Sequence, residues 1–275
     1  MTFHPPHRET PAPTAGGNEA VRANSEQLAL PPVGRWAFFG GSFDPPHLGH
    51  LAVARAAKAA LNLDTVLFAP VGAQPLKPTG SSARYEDRLA MTRLAIAHEP
   101  GFVVSLVDAP NPNGAPNYTL ETLRKLRMEM KPESTPFCLM GADSFASLKY
   151  WHQSAKIPFA ASLIVASRPG EQWSNLQAAL PAGLSIEAAE VGEKNAILRY
   201  LLRNPAGDCA SFYLLPWLDV EISATEIRQQ IADSFHLTPA ELSQKLKSGS
   251  TLFANRVKPS VSTNSRVRRY FPVFG

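Results

Sequence analysis

Residues 40–50 read GGSFDPPHLGH, and they gather the side chains best suited to chemistry in this chain of 275 residues. His47 and His50 stand three apart, which places both imidazoles on one face of a first helical turn. The apolar run WAFFG (36–40) leads into them through Gly40 and Gly41. A strand, a glycine turn and a helix N-terminus make an anion-binding arrangement. Backbone can approach the ligand closely there, and the first free N–H groups of the helix point at it. Imidazole N–H groups beside those amides can donate to phosphate oxygens. A metal site would need at least one more ligand, and no Cys or His follows at a recognisable short spacing. The signatures G-x-x-x-x-G-K-[ST], G-x-G-x-x-G and H-E-x-x-H do not occur.

A second group lies far along the chain, in EISATEIRQQI (221–231). Ser223 followed by Glu226 satisfies the S-x-x-E pattern of a capping box, which starts a helix. Thr225 and Arg228 fall on the first turns of that helix. A helix N-terminus carrying Ser, Thr and Arg is a second anion site, fit for a polyphosphate.

The elements that must position these groups follow from hydrophobic periodicity. WAFFG (36–40), TVLFAPV (65–71), FVVSLVD (102–108), FCLMGAD (137–143), SLIVASR (162–168) and FYLLPW (212–217) read as buried strands. Helical patterns separate them at 49–62, 84–98, 119–130 and 144–152. This alternation predicts an α/β fold: a doubly wound, mostly parallel, Rossmann-like sheet with helices on both faces. Ligands of such sheets bind at the carboxyl ends of the strands, near the topological switch point. Residues 171–208 fit the alternation poorly and read as an insertion of mixed helix and loop. Residues 232–265 read as a second insertion. Residues 1–33 carry six prolines without periodicity and read as a disordered leader, so the expected single domain spans 34–275.

Composition narrows the partners. The formal net charge of +4 suits an anionic ligand but is too small to argue for nucleic acid. The tail from Ser243 carries seven Lys or Arg and no acid, and reads as a solvated basic tail. No apolar stretch reaches about 18 residues, so no membrane partner is expected. Cys138 and Cys209 both lie in apolar runs and read as buried free thiols of a reducing cytoplasm.

Taken together, GGSFDPPHLGH and ISATEIR resemble the nucleotidyltransferase superfamily with an H-x-G-H signature. NYTLETL (117–123), GADSF with YWH (141–152), SRPG (167–170) and the closing RVRRYF (266–271) make the chain similar to the bacterial nicotinate-nucleotide adenylyltransferases. The motifs keep the family's order over residues 35–231. The family's P-P-H-K loop reads QPLK here (74–77), so Lys77 is kept and Leu76 replaces a histidine.

The resemblance implies adenylyl transfer from ATP to nicotinate mononucleotide, giving deamido-NAD and pyrophosphate. The mononucleotide phosphate is itself the nucleophile, so catalysis reduces to positioning and charge stabilisation. His47 and His50 would hold ATP phosphates, and Arg228 with Ser223 and Thr225 would hold the departing β and γ phosphates. Gly40, Gly41, Ser42, Phe43, Lys77 and Asp143 would complete the ATP site. Asp44, Tyr118, Thr119, Trp151 and Arg168 would receive the mononucleotide. Each of these has a plainer role as well. Asp44 can fix the glycine turn, Asp143 and Thr119 can cap helices, Trp151 can sit in the core and Arg168 can be solvated. Mg²⁺ would bind through ATP phosphates and keep much of its water shell. A homo-oligomer is left open. Rival readings are an adenylyltransferase for nicotinamide mononucleotide, another H-x-G-H transferase, or a nucleotide-binding regulator without turnover.

Overall fold

Alternating apolar runs and helices build one eight-stranded sheet in the computed structural model, which describes residues 33–77, 79–167, 176–191, 197–215 and 224–234. In chain order the first half comprises β1 (Arg35–Gly41), α1 (Leu48–Leu61), β2 (Thr65–Pro70), α2 (Tyr85–Ile96), β3 (Phe102–Val104), α3 (Thr119–Glu129) and β4 (Thr135–Gly141). The second half comprises α4 (Ala142–Ser147), α5 (Ile157–Ala160), β5 (Ser162–Ala166), α6 (Leu176–Ala179), β6 (Ser185–Val191), β7 (Leu198–Arg203), β8 (Cys209–Leu215) and α7 (Ala224–Ser234). The strand order is β3-β2-β1-β4-β5-β8-β7-β6. The pairs from β3 through to β8 are parallel, and β7 is antiparallel to both β8 and β6.

The central strands are buried on both faces, which is why their sequences run apolar without alternation. All six residues of β2 are buried. In β1, Ala37 and Phe39 join Leu51, Ala54, Ala57 and Leu61 of α1 in one cluster with Phe68, Phe137 and Ile164. Trp36 and Phe38, one residue out of phase, are equally buried and face the other side. The alanines of α1 let that helix lie close to the sheet. On α3 the stripe Leu120, Leu123 and Leu126 is buried, at helical spacing.

Sheet order sets where a ligand can go. After β1 the chain winds outward through β2 and β3, then crosses back to place β4 on the other flank of β1. The switch point is therefore between β1 and β4, with Gly41 and Gly141 at their carboxyl ends.

Four expectations need correction. The 171–208 segment is not only helix and loop, because β6 and β7 form an antiparallel hairpin that widens the sheet. Its strands are half exposed, so they lack the apolar run that marks a central strand. The strand expected over 102–108 is shorter, since β3 closes at Val104 and the chain turns to bury Asp108. The helix expected over 144–152 begins at Ala142, breaks into a 3₁₀ turn at Leu148–Tyr150 and ends before Trp151. Cys138 is buried as expected, but Cys209 is exposed at the first residue of β8. The leader, most of the 232–265 segment, the RVRRYF tail, Ser223 and Arg168 lie outside the described residues.

Candidate active site

The turn after β1 folds back over its own core. Phe43 takes a left-handed backbone (φ 46°) and drives its ring into the interior, where it meets Phe39 and Phe68 at 5.5 Å each. The residue is 1% exposed, so its ring serves the core and not a ligand. At Gly40 a Cβ would stand 2.6 Å from the ring of Phe38, so the glycine is required by packing as much as by any ligand.

His47 is the N-cap of α1 with extended backbone, and His50 is the third residue of the helix. The His47 N–H donates to His50 Nδ1 at 3.2 Å, returning a side chain to an otherwise open helix-end amide. A neutral His50 that accepts at Nδ1 carries its proton on Nε2, which makes that nitrogen the donor. The two rings lie tilted by 37° with centroids 3.8 Å apart, and His50 also leans on Phe43 at 5.0 Å. The imidazoles are thus held together at a helix N-terminus, where the macrodipole favours an anion.

Other cationic and hydroxyl groups converge on the same turn. Lys77 reaches back so that Nζ donates to Ser42 Oγ at 3.2 Å. From the far end of the chain, Arg228 on α7 donates through Nη1 to the Asp44 carbonyl and through Nη2 to Thr225 Oγ1 at 3.3 Å. His47, His50, Lys77, Thr225 and Arg228, separated by up to 181 positions in sequence, therefore share one neighbourhood. Such a set can hold a polyphosphate by charge-assisted hydrogen bonds.

The Asp44 carboxylate does hold backbone, but that of the loop ahead of α2 and not that of the glycine turn. It is buried and accepts the Ser82 N–H (2.5 Å) and the Ala83 N–H (3.2 Å), which pins that loop. Asp143 is exposed in the first turn of α4, at the carboxyl end of β4. Gly141, not Asp143, is the N-cap of that helix. Likewise Tyr118 is the N-cap of α3 and Thr119 its first residue.

A second group forms where α3 begins. The Tyr118 and His152 rings stand 4.5 Å apart, and Trp151 beside them is half-buried, its Nε1 donating to Ser147 Oγ at 3.1 Å. Asn117 fastens this group to the loops after β2 and β3: it accepts the Ala73 N–H at 3.0 Å and donates to the Ala109 carbonyl at 3.1 Å. Aromatic faces next to a helix N-terminus suit a flat ring bearing an anion.

Two buried ionisable groups escaped the sequence reading. Arg88 on α2 is 2% exposed and donates to the carbonyls of Ser42 (2.5 Å), Val71 (2.8 Å) and Ala83 (3.3 Å). Asp108 follows β3, and burial pushes its carboxyl up to about 6, against opposing pulls from the Thr122 hydroxyl and Lys125. The signal for Arg88 was its place on the stripe Arg88, Thr92, Ile96, where a charged residue on a patterned helix is ordinarily read as solvent-facing.

Comparison with known proteins gives the family. The model of the cytidylyltransferase-like family matches residues 38–230. A protein named "Probable nicotinate-nucleotide adenylyltransferase" from Laribacter hongkongensis is 40% identical over 208 residues, covering 74% of this chain and 87% of the relative. The chain belongs to that family. Another member bearing the same name, from Gloeobacter violaceus, is 36% identical over 198 residues, covering 72% of this chain and 84% of its own. The fold is also that of a solved structure, the Plasmodium falciparum nicotinic acid mononucleotide adenylyltransferase complexed with NaAD. It aligns with a TM-score of 0.50 at 15% identity, over 78% of this chain and 96% of the other. All matched residues 38–230 include both the histidine turn and Arg228.

Proposed function

We propose that this family member transfers the adenylyl group of ATP to nicotinate mononucleotide, forming deamido-NAD and pyrophosphate. The observation that carries this reading is the meeting of the His47–His50 turn with Lys77 and Arg228 at the switch point of the sheet. The mononucleotide phosphate attacks the α phosphorus of ATP, the new P–O–P bond forms, and the bond to the β phosphate's bridging oxygen breaks. The attacking phosphate is already ionised at neutral pH, so no protein base is needed.

His50 Nε2, with His47, donates to the transferring phosphoryl group as its charge rises. Lys77 and Arg228, with Ser223 and Thr225, hold the β and γ phosphates and stabilise the leaving pyrophosphate. Gly40, Gly41, Ser42 and Phe43 contribute backbone, and Asp143 takes the ribose side. Tyr118, Thr119, Trp151 and Arg168 receive the mononucleotide, with the pyridine ring against the aromatic group and its carboxylate toward the start of α3.

The donors at the phosphate site are imidazole, ammonium and guanidinium, and the Asp44 carboxylate is committed to backbone amides. This donor set fits a Mg²⁺ held through the nucleotide's own phosphates and waters rather than by a protein cage. The chemistry such an ion would supply is an offset to the charge of the nucleotide's phosphates. Free thiols at buried Cys138 and exposed Cys209 agree with work in a reducing cytoplasm.

Parallel kinetics on nicotinate and nicotinamide mononucleotides, at saturating ATP and Mg²⁺, test the substrate assignment. Hydrogen bonds to a charged group are worth about 1.5–3 kcal/mol, so kcat/KM is expected to favour the nicotinate form by at least about tenfold. Equal efficiencies, or a preference for the amide, would overturn the nicotinate reading and leave adenylyl transfer standing.

A further inference from the structure

The geometry points to Arg88 as a positioning residue for the polyphosphate site, acting through the backbone of three loops rather than through any contact with substrate. It rests on the adenylyl-transfer reading only for its effect on turnover.

Arg88 lies on the buried stripe of α2, beneath the carboxyl ends of β1 and β2. Its guanidinium spreads over three carbonyls, one from each segment that feeds the site. Ser42 belongs to the histidine turn, Val71 follows β2 and opens the loop to Lys77, and Ala83 closes that loop before α2. The same three segments are cross-tied nearby. Val71 donates to the Gly41 carbonyl at 3.0 Å, and Asp44 accepts the amides of Ser82 and Ala83. The Asp44 carbonyl in turn receives Arg228. One buried cation thus sets the relative places of Ser42, Lys77 and Asp44, and through Asp44 that of Arg228.

The bond to Ser42 has a further consequence. In a planar trans peptide the carbonyl and the following N–H point in opposite directions. Fixing the Ser42 oxygen on Arg88 therefore turns the Phe43 N–H to the other side of the turn. It also keeps a carbonyl dipole from facing a polyanion.

Burial lowers the pKa of the guanidinium, with the nearby Asp44 carboxylate opposing, and its ring neighbour is Tyr85 at 5.7 Å. Burying a cation costs stability unless its donors are used, and here a planar fork uses them on fixed oxygens. Lysine keeps the charge but offers a point donor that cannot span the three carbonyls.

The test compares wild type with Arg88→Lys, measuring melting temperature, kcat and KM for each substrate, and ATP affinity by calorimetry without turnover. A misplacement near 1 Å can cost about 10²-fold in rate. The expected result is kcat per folded molecule down about 10²-fold and ATP affinity down about tenfold, with mononucleotide affinity within about threefold of wild type. Unchanged kcat and ATP affinity per folded molecule would overturn the assignment. So would an equal loss of both substrates alongside a large fall in melting temperature, since that is what a purely structural arginine gives. Should Arg88→Lys not fold, Tyr85→Leu removes the ring beside the guanidinium and must show the same split in milder form; a variant with wild-type ATP affinity and kcat would refute the idea. If wild type makes no dinucleotide, adenylyl transfer fails, while the ATP-affinity comparison still decides Arg88.

Discussion

In the proposed mechanism His50 is the donor to the transferring phosphate. Its Nδ1 accepts the His47 amide, which in a neutral imidazole puts the proton on Nε2. Replacing it with Ala removes that donor and the return bond to the helix end together. Turnover of His50→Ala is expected to fall by ~10²–10³-fold, in line with the loss of one preorganised oxyanion donor. Mononucleotide binding, measured by calorimetry, should hardly change. Near-normal turnover would remove His50 from the phosphate site. Arg228 gives a complementary case, since it holds two oxygens at once, Asp44 O and Thr225 Oγ1. Arg228→Lys keeps the charge and loses the fork, so KM for ATP should rise with the melting temperature unchanged. ATP kinetics equal to wild type would mark Arg228 as incidental to the site. That both residues stand in the opening turns of helices was legible from spacing, because short motifs at helix starts fix which groups share a face. The partner of Asp44 was not legible, since Ser82 and Ala83 offer only backbone amides and no side-chain pattern advertises them.

At the scale of elements, the parallel half of the sheet could be read because buried strands show as continuous apolar runs. The β6–β7 hairpin could not, because an exposed antiparallel flank mixes polar and apolar residues that also suit helix or loop. The connection from β3 to α3 shows what a run of apolar letters can hide. FVVSLVD looks like one strand, yet its last residue is an acid buried against Thr122. Asp108 also fixes the loop through its carbonyl, which accepts the Gly72 N–H at 2.7 Å. Because burial raises its carboxyl from 3.8 to about 6, the fold favours the neutral form. The stabilisation this gives is complete below about pH 3.8 and is lost as pH rises through about 6. Two pKa units correspond to roughly 3 kcal/mol, an upper figure for a site that can relax. Asp108→Asn keeps an acceptor for Thr122 without a titrating proton. Its melting temperature should vary less between pH 4 and 7 than that of wild type, and should match or exceed wild type at pH 8. Parallel pH profiles for the two proteins would contradict this account of Asp108.

For the whole molecule, the decisive fact is convergence at one end of one sheet. The order β2-β1-β4-β5 puts the glycine turn at the switch point, and Arg228 arrives there to meet Asp44, 184 residues earlier in the chain. Sequence order alone could suggest two anion sites, whereas only the fold makes them one. On the proposed function, that union would let a single triphosphate be gripped at its transferring group and at its leaving group together. The most direct measurement is the fate of label from ATP in the presence of nicotinate mononucleotide and Mg²⁺. With ATP labelled at the α phosphorus, the account predicts that label enters the dinucleotide in step with its formation. With ATP labelled at the γ phosphorus, the label is predicted in pyrophosphate in equal amount. Label from the γ position appearing on the mononucleotide, or α label remaining in ATP while the protein binds both substrates, would contradict adenylyl transfer outright.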